Sequence, residues 1–276
     1  MKIAIYLRNR LLENDPRYIG LIYRFRSGGC EVYEIGDGQE IAAGTDIFVS
    51  VGGDGTFLSS AVLVGASGIP VLGVNLGRLG FLSENSTDED SLVEAVLSGR
   101  YTIEERTLLK SVFLDGEDES LKDIYPYALN EITLHRAGPA MLGVDVLIDG
   151  NPLPTYWADG LLVATSSGST ACSLSVGGPI VMPESRVLIV SPIAPHNLNV
   201  RPLVVPDTSE ILLSLRARDE KVFLTIDNRS MEVSPGLGMR ISMAQFSLKR
   251  IRLSGSSFIK ALTTKLFWGE DIRNGR

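Results

Sequence analysis

Between positions 48 and 56 an apolar run, Phe48-Val49-Ser50-Val51, breaks into Gly52-Gly53-Asp54-Gly55-Thr56 and then passes into helix-forming residues. A strand that ends in clustered glycines and restarts as a helix is the entry to a crossover, so this segment commits the first part of the chain to a parallel sheet with covering helices. Glycines let the backbone turn sharply and lie close against a ligand, and the N–H groups at the start of the following helix attract phosphate. Thr56 is expected to cap that helix. Asp54 is the odd member, because its charge repels phosphates unless a metal or an acceptor hydroxyl intervenes. That points to a catalytic carboxylate. The competing reading is a tight strand-to-helix turn in which Asp54 closes an Asx-type turn on nearby backbone.

The segments around this loop alternate in the same way. Residues 3–7, 31–35, 46–51 and 69–75 read as strands. Residues 17–27 read as a helix bracketed by Pro16 and Gly28-Gly29, with Tyr18, Leu21, Ile22 and Phe25 on one face, and 56–64 and 88–97 read as further helices. From about Thr107 the texture changes to short runs rich in Val, Ile and Leu: 108–114, 131–135, 144–148, 187–190, 211–215 and 222–226. The acidic stretch 115–120 is expected to be a hairpin tip, and 258–268 returns to helical spacing. The fold class expected is an α/β N-terminal domain with a parallel, Rossmann-like sheet plus a C-terminal all-β, sandwich-like domain. The boundaries expected are 1–106, joined by 250–276, for the first and 107–249 for the second.

A chain of 276 residues, 44% hydrophobic and 21% charged, has the composition of a globular protein. Its net charge of −7 supplies no broad basic face, which argues against nucleic acid as a partner. Cys30 and Cys172, too few and too far apart for a disulfide framework or a metal cluster, point to a reducing compartment, the cytoplasm. The opening apolar run is cut short by Arg8, Asn9 and Arg10, unlike a secretory signal, and no segment is long and apolar enough for a membrane partner.

Other motifs add weaker signals. The G-x-x-x-x-G-K-[ST] loop and the G-x-S-x-G elbow are both absent. Asn75-Leu76-Gly77-Arg78-Leu79-Gly80 approximates a dinucleotide fingerprint and is read as a turn, with Arg78 available to a phosphate. The glycine- and hydroxyl-rich stretch from Asp159 to Ala171 suits close approach to a ligand, although a polar loop between strands has the same texture. His135 and His196 lack Cys or acidic partners at ligand spacing and are read as structural, and no metal-ligating residue is assigned.

Taken in order, these motifs resemble the NAD kinase family. Gly52-Gly53-Asp54-Gly55-Thr56 is similar to its signature loop, and Gly73-Val74-Asn75, Gly77 and Leu79-Gly80-Phe81-Leu82 to the strand and turn that follow. Asn130-Glu131 matches its Asn-Glu pair, and Asp159-Gly160 leads to Gly168-Ser169-Thr170-Ala171, Ser173-Leu174-Ser175 and Gly177-Gly178-Pro179-Ile180. Ser191-Pro192, Pro195-His196 and Arg201-Pro202-Leu203 complete a likeness running from about Ile47 to Asp227.

The resemblance implies ATP as phosphate donor, a divalent metal ion such as magnesium, NAD as acceptor bound between domains, and a homo-oligomer. It assigns Asp54 as the base for the 2′-hydroxyl of the adenosine ribose, with Gly53, Gly55 and Thr56 in the phosphate loop. It places Asn130, Glu131, Asp159, Thr170, Ala171, Cys172, Ser173, Leu174 and Ser175 along the dinucleotide, with Asp227 nearby. Many relatives carry Pro where Ser166 stands, Tyr where Cys172 stands and a basic residue where Trp157 stands. The alternatives are a lipid kinase using a related glycine–aspartate loop, and a non-catalytic dinucleotide sensor.

Overall fold

The structure, a computed structural model, describes residues 1–77, 80–85, 89–114, 121, 124–218 and 221–268. The expectations for Arg78 and Leu79, for Asp88 and for the stretch 115–120 lie outside the described residues. The chain forms two compact units, Met1–Glu105 together with the segment from Leu248 on, and Arg106–Ser247.

The first unit is built on a sheet whose strands run in the order Glu31–Ile35, Lys2–Leu7, Ile47–Val51, Val71–Asn75, Leu248–Leu253 and Tyr101–Arg106, with Glu84–Asn85 beside Val71–Asn75. The four N-terminal strands pair in parallel. Ile47–Val51 and Val71–Asn75 are buried throughout, as strands covered by helices on both faces must be. The helix Pro16–Ser27 starts where the sequence indicates, with Pro16 in its first turn and the Asp15 carboxylate accepting the Arg17 N–H at 2.9 Å. Its Leu21 and Phe25 pack into a core with Ile3, Ile5, Val49, Leu72 and, from the helix Glu89–Leu97, Leu92, Val93 and Val96. Full burial of each such side chain contributes about 1.5–3 kcal/mol. Lys2–Leu7 has neighbours on both sides that follow it in the chain, so the connection reverses between Lys2–Leu7 and Ile47–Val51. The glycine loop leaves the sheet at that reversal, where open parallel sheets hold ligands.

The second unit is all antiparallel β. One sheet runs Asn151–Pro152, Leu142–Ile148, Ile211–Arg216, Gly238–Met243, Leu109–Phe113, Tyr127–Ala128, with Tyr156–Ala158 also on Leu142–Ile148. The other runs Leu203–Pro206, Val187–Ile193, Gly160–Thr165, Glu131–Arg136, Val222–Ile226, Arg229–Val233. A single apolar core takes Val144, Leu213 and Ile241 from one sheet and Leu134, Val163, Val190 and Leu224 from the other, which makes the unit a sandwich. The expected fold class is therefore observed in both units.

Several elements differ from the sequence expectation. The helix after the glycine loop spans Asp54–Val64, two residues earlier than expected, so Gly53 is its N-cap and Thr56 lies inside its first turn instead of capping it. Residues Gly160–Thr165, read from the sequence as part of a glycine- and hydroxyl-rich stretch and not as a strand, form a strand buried along its whole length, because Leu161, Leu162 and Val163 supply enough apolar surface between the polar residues. Tyr101–Arg106 and Leu248–Leu253 lack the apolar signature of strands. Their charges meet each other instead. Arg250, 5% exposed, donates to Glu104 at 2.8 Å and to the Leu82 carbonyl at 2.8 Å, and Arg252 stands 3.2 Å from the other Glu104 oxygen.

Breaking a buried pair leaves an uncompensated charge, which costs about 3–5 kcal/mol, whereas removing both charges together costs far less. Arg250→Met is therefore expected to lower the urea midpoint of the full chain by an amount corresponding to about 3 kcal/mol, and the double variant E104L/R250M to recover most of that loss. Equal midpoints for the two variants would show that the pair is not what holds these strands.

Candidate active site

The glycine loop is shaped by different requirements at each glycine. Gly52 has φ +147°, its N–H donates to the Val74 carbonyl at 2.8 Å, and a Cβ there would lie 2.4 Å from Thr56 Oγ1. Only glycine fits. Gly53, with φ −80°, and Gly55 are different, because neither needs a left-handed conformation and a Cβ at either would meet nothing within 4 Å. The protein's own packing does not ask for glycine at these two positions. What they keep open is the space beside the first turn of a helix, whose leading amides point outward along the axis.

Asp54, between them, is the first helical residue. It does not close a local Asx turn. Its Oδ2 accepts the Phe81 N–H at 2.8 Å, and its Oδ1 accepts the Leu82 N–H at 3.2 Å and faces the Ser83 hydroxyl at 3.4 Å. The Lys265 ammonium, from the helix Phe258–Leu266, stands 3.4 Å from Oδ2. Gly80 makes this approach possible, since a Cβ there would lie 1.9 Å from Asp54 Oδ1. Gly73 does the same beneath the loop, where a Cβ would come within 2.9 Å of both Phe57 Cδ2 and Ser83 Cα. The carboxylate remains 31% exposed, open on one side and gripped on the other.

In the second unit Asp227 opens the two-residue turn between Val222–Ile226 and Arg229–Val233, in the left-handed region with φ 53°. Its carboxylate reaches back to the strand Glu131–Arg136, accepting N–H groups from Leu129 at 2.8 Å, Asn130 at 2.7 Å and Glu131 at 3.2 Å. Burial raises its carboxyl above the usual range, against the pull of those three donors and of Arg229. Glu131 is 5% exposed and hydrogen-bonds the Cys172 thiol and backbone N–H, while its Oε2 is buried with no hydrogen-bond partner among the described residues. Burial pushes its carboxyl up to about 7. The Cys172 thiol, exposed on the short helix Cys172–Ser175, is raised to about 11 by its own desolvation and by the Glu131 charge.

Asn130, Glu131, Cys172 and Asp227 are thus brought together, and Gly168 packs so closely on Asn130 that a Cβ would lie 2.1 Å from its carbonyl oxygen. Thr170 and Ala171 continue the same turn, with the Ala171 N–H on the Gly168 carbonyl at 2.9 Å. Ser175 is exposed and Leu174 half-buried, but Ser173 is fully buried beneath Gly178 and turns away from solvent. Asp159 is set apart. Its backbone carbonyl accepts the Arg136 N–H, five residues along the strand from Glu131, or roughly 17 Å at strand rise, and its carboxylate takes the Arg136 guanidinium at 2.7 Å. Arg136, Ser83 and Lys265 carry no sequence signal of their own, because each acts through a contact with a distant segment.

Two family models match the chain: the ATP-NAD kinase C-terminal domain over residues 129–253 and the ATP-NAD kinase N-terminal domain over residues 31–101. The chain is 44% identical over 231 residues to an NAD kinase of Flavobacterium psychrophilum, covering 83% of this chain and 78% of the relative. It is 44% identical over 230 residues, with the same shares, to an NAD kinase of Bacteroides fragilis. Among solved structures it is similar to yeast NADH kinase complexed with NADH, with TM-score 0.86 and 25% identity over 100% of this chain and 90% of that one. It is likewise similar to an NAD kinase from Archaeoglobus fulgidus in complex with ATP, with TM-score 0.77 and 26% identity over 97% and 98% of the two chains.

The buried carboxyl of Glu131 makes stability depend on pH. With its folded value near 7 and its ordinary value at 4.5, the folded protein holds a proton that the unfolded chain releases between those limits. The stabilisation is complete below about pH 4.5 and is lost as pH rises through 7. Glu131→Gln never ionises, so it is expected to be more stable than the wild type at pH 8 by up to about 3 kcal/mol, with the gap closing toward pH 4.5. Parallel melting curves across that range check this, and a constant difference would show that Glu131 does not titrate near 7.

Proposed function

Because this chain belongs to the NAD kinase family, we propose that it transfers the γ-phosphate of ATP to the 2′-hydroxyl of the adenosine ribose of NAD, giving NADP and ADP. The observation that carries the detailed reading is the pair Gly53 and Gly55, glycines that the chain's own packing leaves unexplained, on either side of a carboxylate held in place by remote backbone amides. Side chains there would fill the space where phosphate oxygens approach the helix start. Gly53, Gly55 and Thr56 accordingly hold the phosphates, and Asp54 faces the acceptor hydroxyl. As the hydroxyl oxygen bonds to the γ-phosphorus and the bridging oxygen leaves with ADP, the hydroxyl proton passes to the Asp54 carboxylate. Little covalent work is left to the protein, and the rate depends on positioning and charge.

The dinucleotide is bound by the second unit's polar cluster. Asn130 and Glu131 meet hydroxyl or amide edges, the Glu131 Oε2, without a partner among the described residues, being an acceptor for a donated O–H. Thr170, Ala171, Cys172 and Ser175 line one side, Leu174 adds apolar contact, and Ser173 supports the turn from beneath. Asp227 serves through the amides it gathers at 129–131. Asp159, at the far end of the strand and braced by Arg136, fits the opposite end of an extended dinucleotide. The described residues gather no group of three or more His, Cys, Asp or Glu side chains to hold a metal, and both Asp54 oxygens already face donors. A divalent ion such as magnesium, arriving with ATP, would supply charge neutralisation for its phosphates beside Gly53, Gly55 and Thr56.

A lipid kinase is not favoured, as the relatives that the chain matches over most of its length are NAD kinases. A sensor has no use for a carboxylate inside a phosphate loop. No helix among the described residues is long and apolar enough to cross a membrane. A cytoplasmic homo-oligomer with its two cysteines reduced is the form we expect.

Incubation of the full chain with ATP, magnesium and NAD should yield NADP, and NAD alone should raise the melting temperature, since a ligand of the folded state stabilises it by mass action. Asp54→Asn keeps the size of the side chain and loses the proton acceptor, so kcat should fall about 10²–10⁴-fold while NAD affinity changes little. A variant that keeps more than about a tenth of the wild-type kcat would remove Asp54 from the role of base.

A further inference from the structure

Asp54 and Lys265 are 211 residues apart in the chain, yet their charged groups stand 3.4 Å from each other. The contact is built, because the helix that carries Lys265 is attached to the same loop that grips Asp54. Phe258, at the start of that helix, packs its ring 5.9 Å from the ring of Phe81, and Lys265, two turns later on the same face, holds its ammonium 4.3 Å from the other end of this contact, over the Phe81 ring itself. Phe81 in turn donates its N–H to Asp54 Oδ2 at 2.8 Å, the oxygen that Lys265 faces. Ser257 caps the helix by accepting the Lys260 N–H at 3.1 Å, and Leu262 is buried beneath it. The helix thus has one aromatic anchor, one apolar anchor and one charge delivered to a chosen oxygen.

We propose that Lys265 is a positioning residue for the phosphoryl transfer, acting through Asp54. This rests on the reading of Asp54 as the base. The Phe81 N–H and the ammonium together fix Oδ2, the Leu82 N–H and Ser83 hydroxyl fix Oδ1, and the carboxylate is left with one orientation in which its exposed side meets the acceptor hydroxyl. Without Lys265 the backbone donors remain, but Oδ2 loses its charged partner and the side chain regains freedom to swing within the open side of the site. Lys265 is 22% exposed and Asp54 31%, so the pair adds little to stability, and its value lies in geometry.

The test compares the full-length wild type with Lys265→Met, Lys265→Arg, Asp54→Asn and the double variant D54N/K265M, measuring kcat, KM for NAD and melting temperature on each. Misplacing a reacting group by a fraction of an ångström to an ångström costs up to about 100-fold, so K265M should lose about 10- to 100-fold in kcat with KM and melting temperature close to wild type. K265R, which retains the cation over Phe81, should recover most of that loss. In the Asp54→Asn background, removing Lys265 should cost nothing further, because there is no base left to position. A K265M enzyme with more than half the wild-type kcat overturns the proposal. So does a rise in KM alone, or a loss that multiplies with that of D54N. A wild type that makes no NADP overturns the kinase reading instead, and the two failures are told apart by that first measurement.

Discussion

The carboxylate of Asp54 accepts backbone N–H groups from the loop that follows the next strand of the sheet, and this contact ties the start of the helix Asp54–Val64 to the segment after Val71–Asn75. A negative charge in the first turn of a helix is favoured by the helix dipole. Here it is also the hub around which the loop 80–83 folds. The loop comes close only because Gly80 and Gly73 have no side chains, and it is held from behind by Arg250, whose Nε–H donates to the Leu82 carbonyl. Arg250 in turn is neutralised by Glu104 on the neighbouring strand. A chain of polar contacts therefore runs from the far strands of the sheet to the carboxylate at its centre, and each link is a group that burial would penalise if it were left unpaired.

The second unit solves a similar problem in the same way. Asp227, in a left-handed turn conformation that Asp tolerates better than most residues, gathers the amides of Leu129, Asn130 and Glu131. Those amides cannot then complete a regular ladder, and the strand begins only at Glu131. The result holds Asn130 and Glu131 at a strand entrance beside the turn 167–175, with Gly168 permitting the close approach. Glu131 carries the cost of this arrangement, since its carboxyl is buried with one oxygen unpaired among the described residues and a protonated thiol as neighbour. A site with an unpaired acceptor at its centre is prepared for a donor, and gains most from the ligand that brings one.

Much of the fold was legible because the first unit's strands are short, apolar and ended by polar residues or glycine, as Lys2–Leu7 is by Arg8 and Asn9 and Ile47–Val51 is by Gly52. Strands with charged or mixed faces were not. Leu248–Leu253 carries a buried arginine whose partner lies on another strand, and Gly160–Thr165 hides an apolar strand in a stretch flanked by serines and glycines. The start of the helix at Asp54 was missed by two residues because Thr56 is the better capping residue by type, while the bend at Gly52 places Gly53 at the cap. The nearness of Asn130, Glu131, Cys172 and Asp227 has no trace in local pattern, and their grouping in the sequence reading came from resemblance alone.

What the sequence by itself determined was the chemistry available: a strand that must break at Gly52, a helix start that attracts anions, and a lone carboxylate in a place where phosphate binding does not call for one. Those are local properties, written in residue types a few positions apart. Only the tertiary structure decided which groups that carboxylate would meet. The Phe81 and Leu82 amides, the Ser83 hydroxyl and the Lys265 ammonium reach it from 27, 28, 29 and 211 residues away. The same holds for Asp227, whose three amide donors lie 96 to 98 residues earlier. Hydrogen bonds and ion pairs act over a few ångströms of space and are indifferent to separation along the chain, so no local pattern encodes them, and the packing of strands and helices has to bring the partners together first.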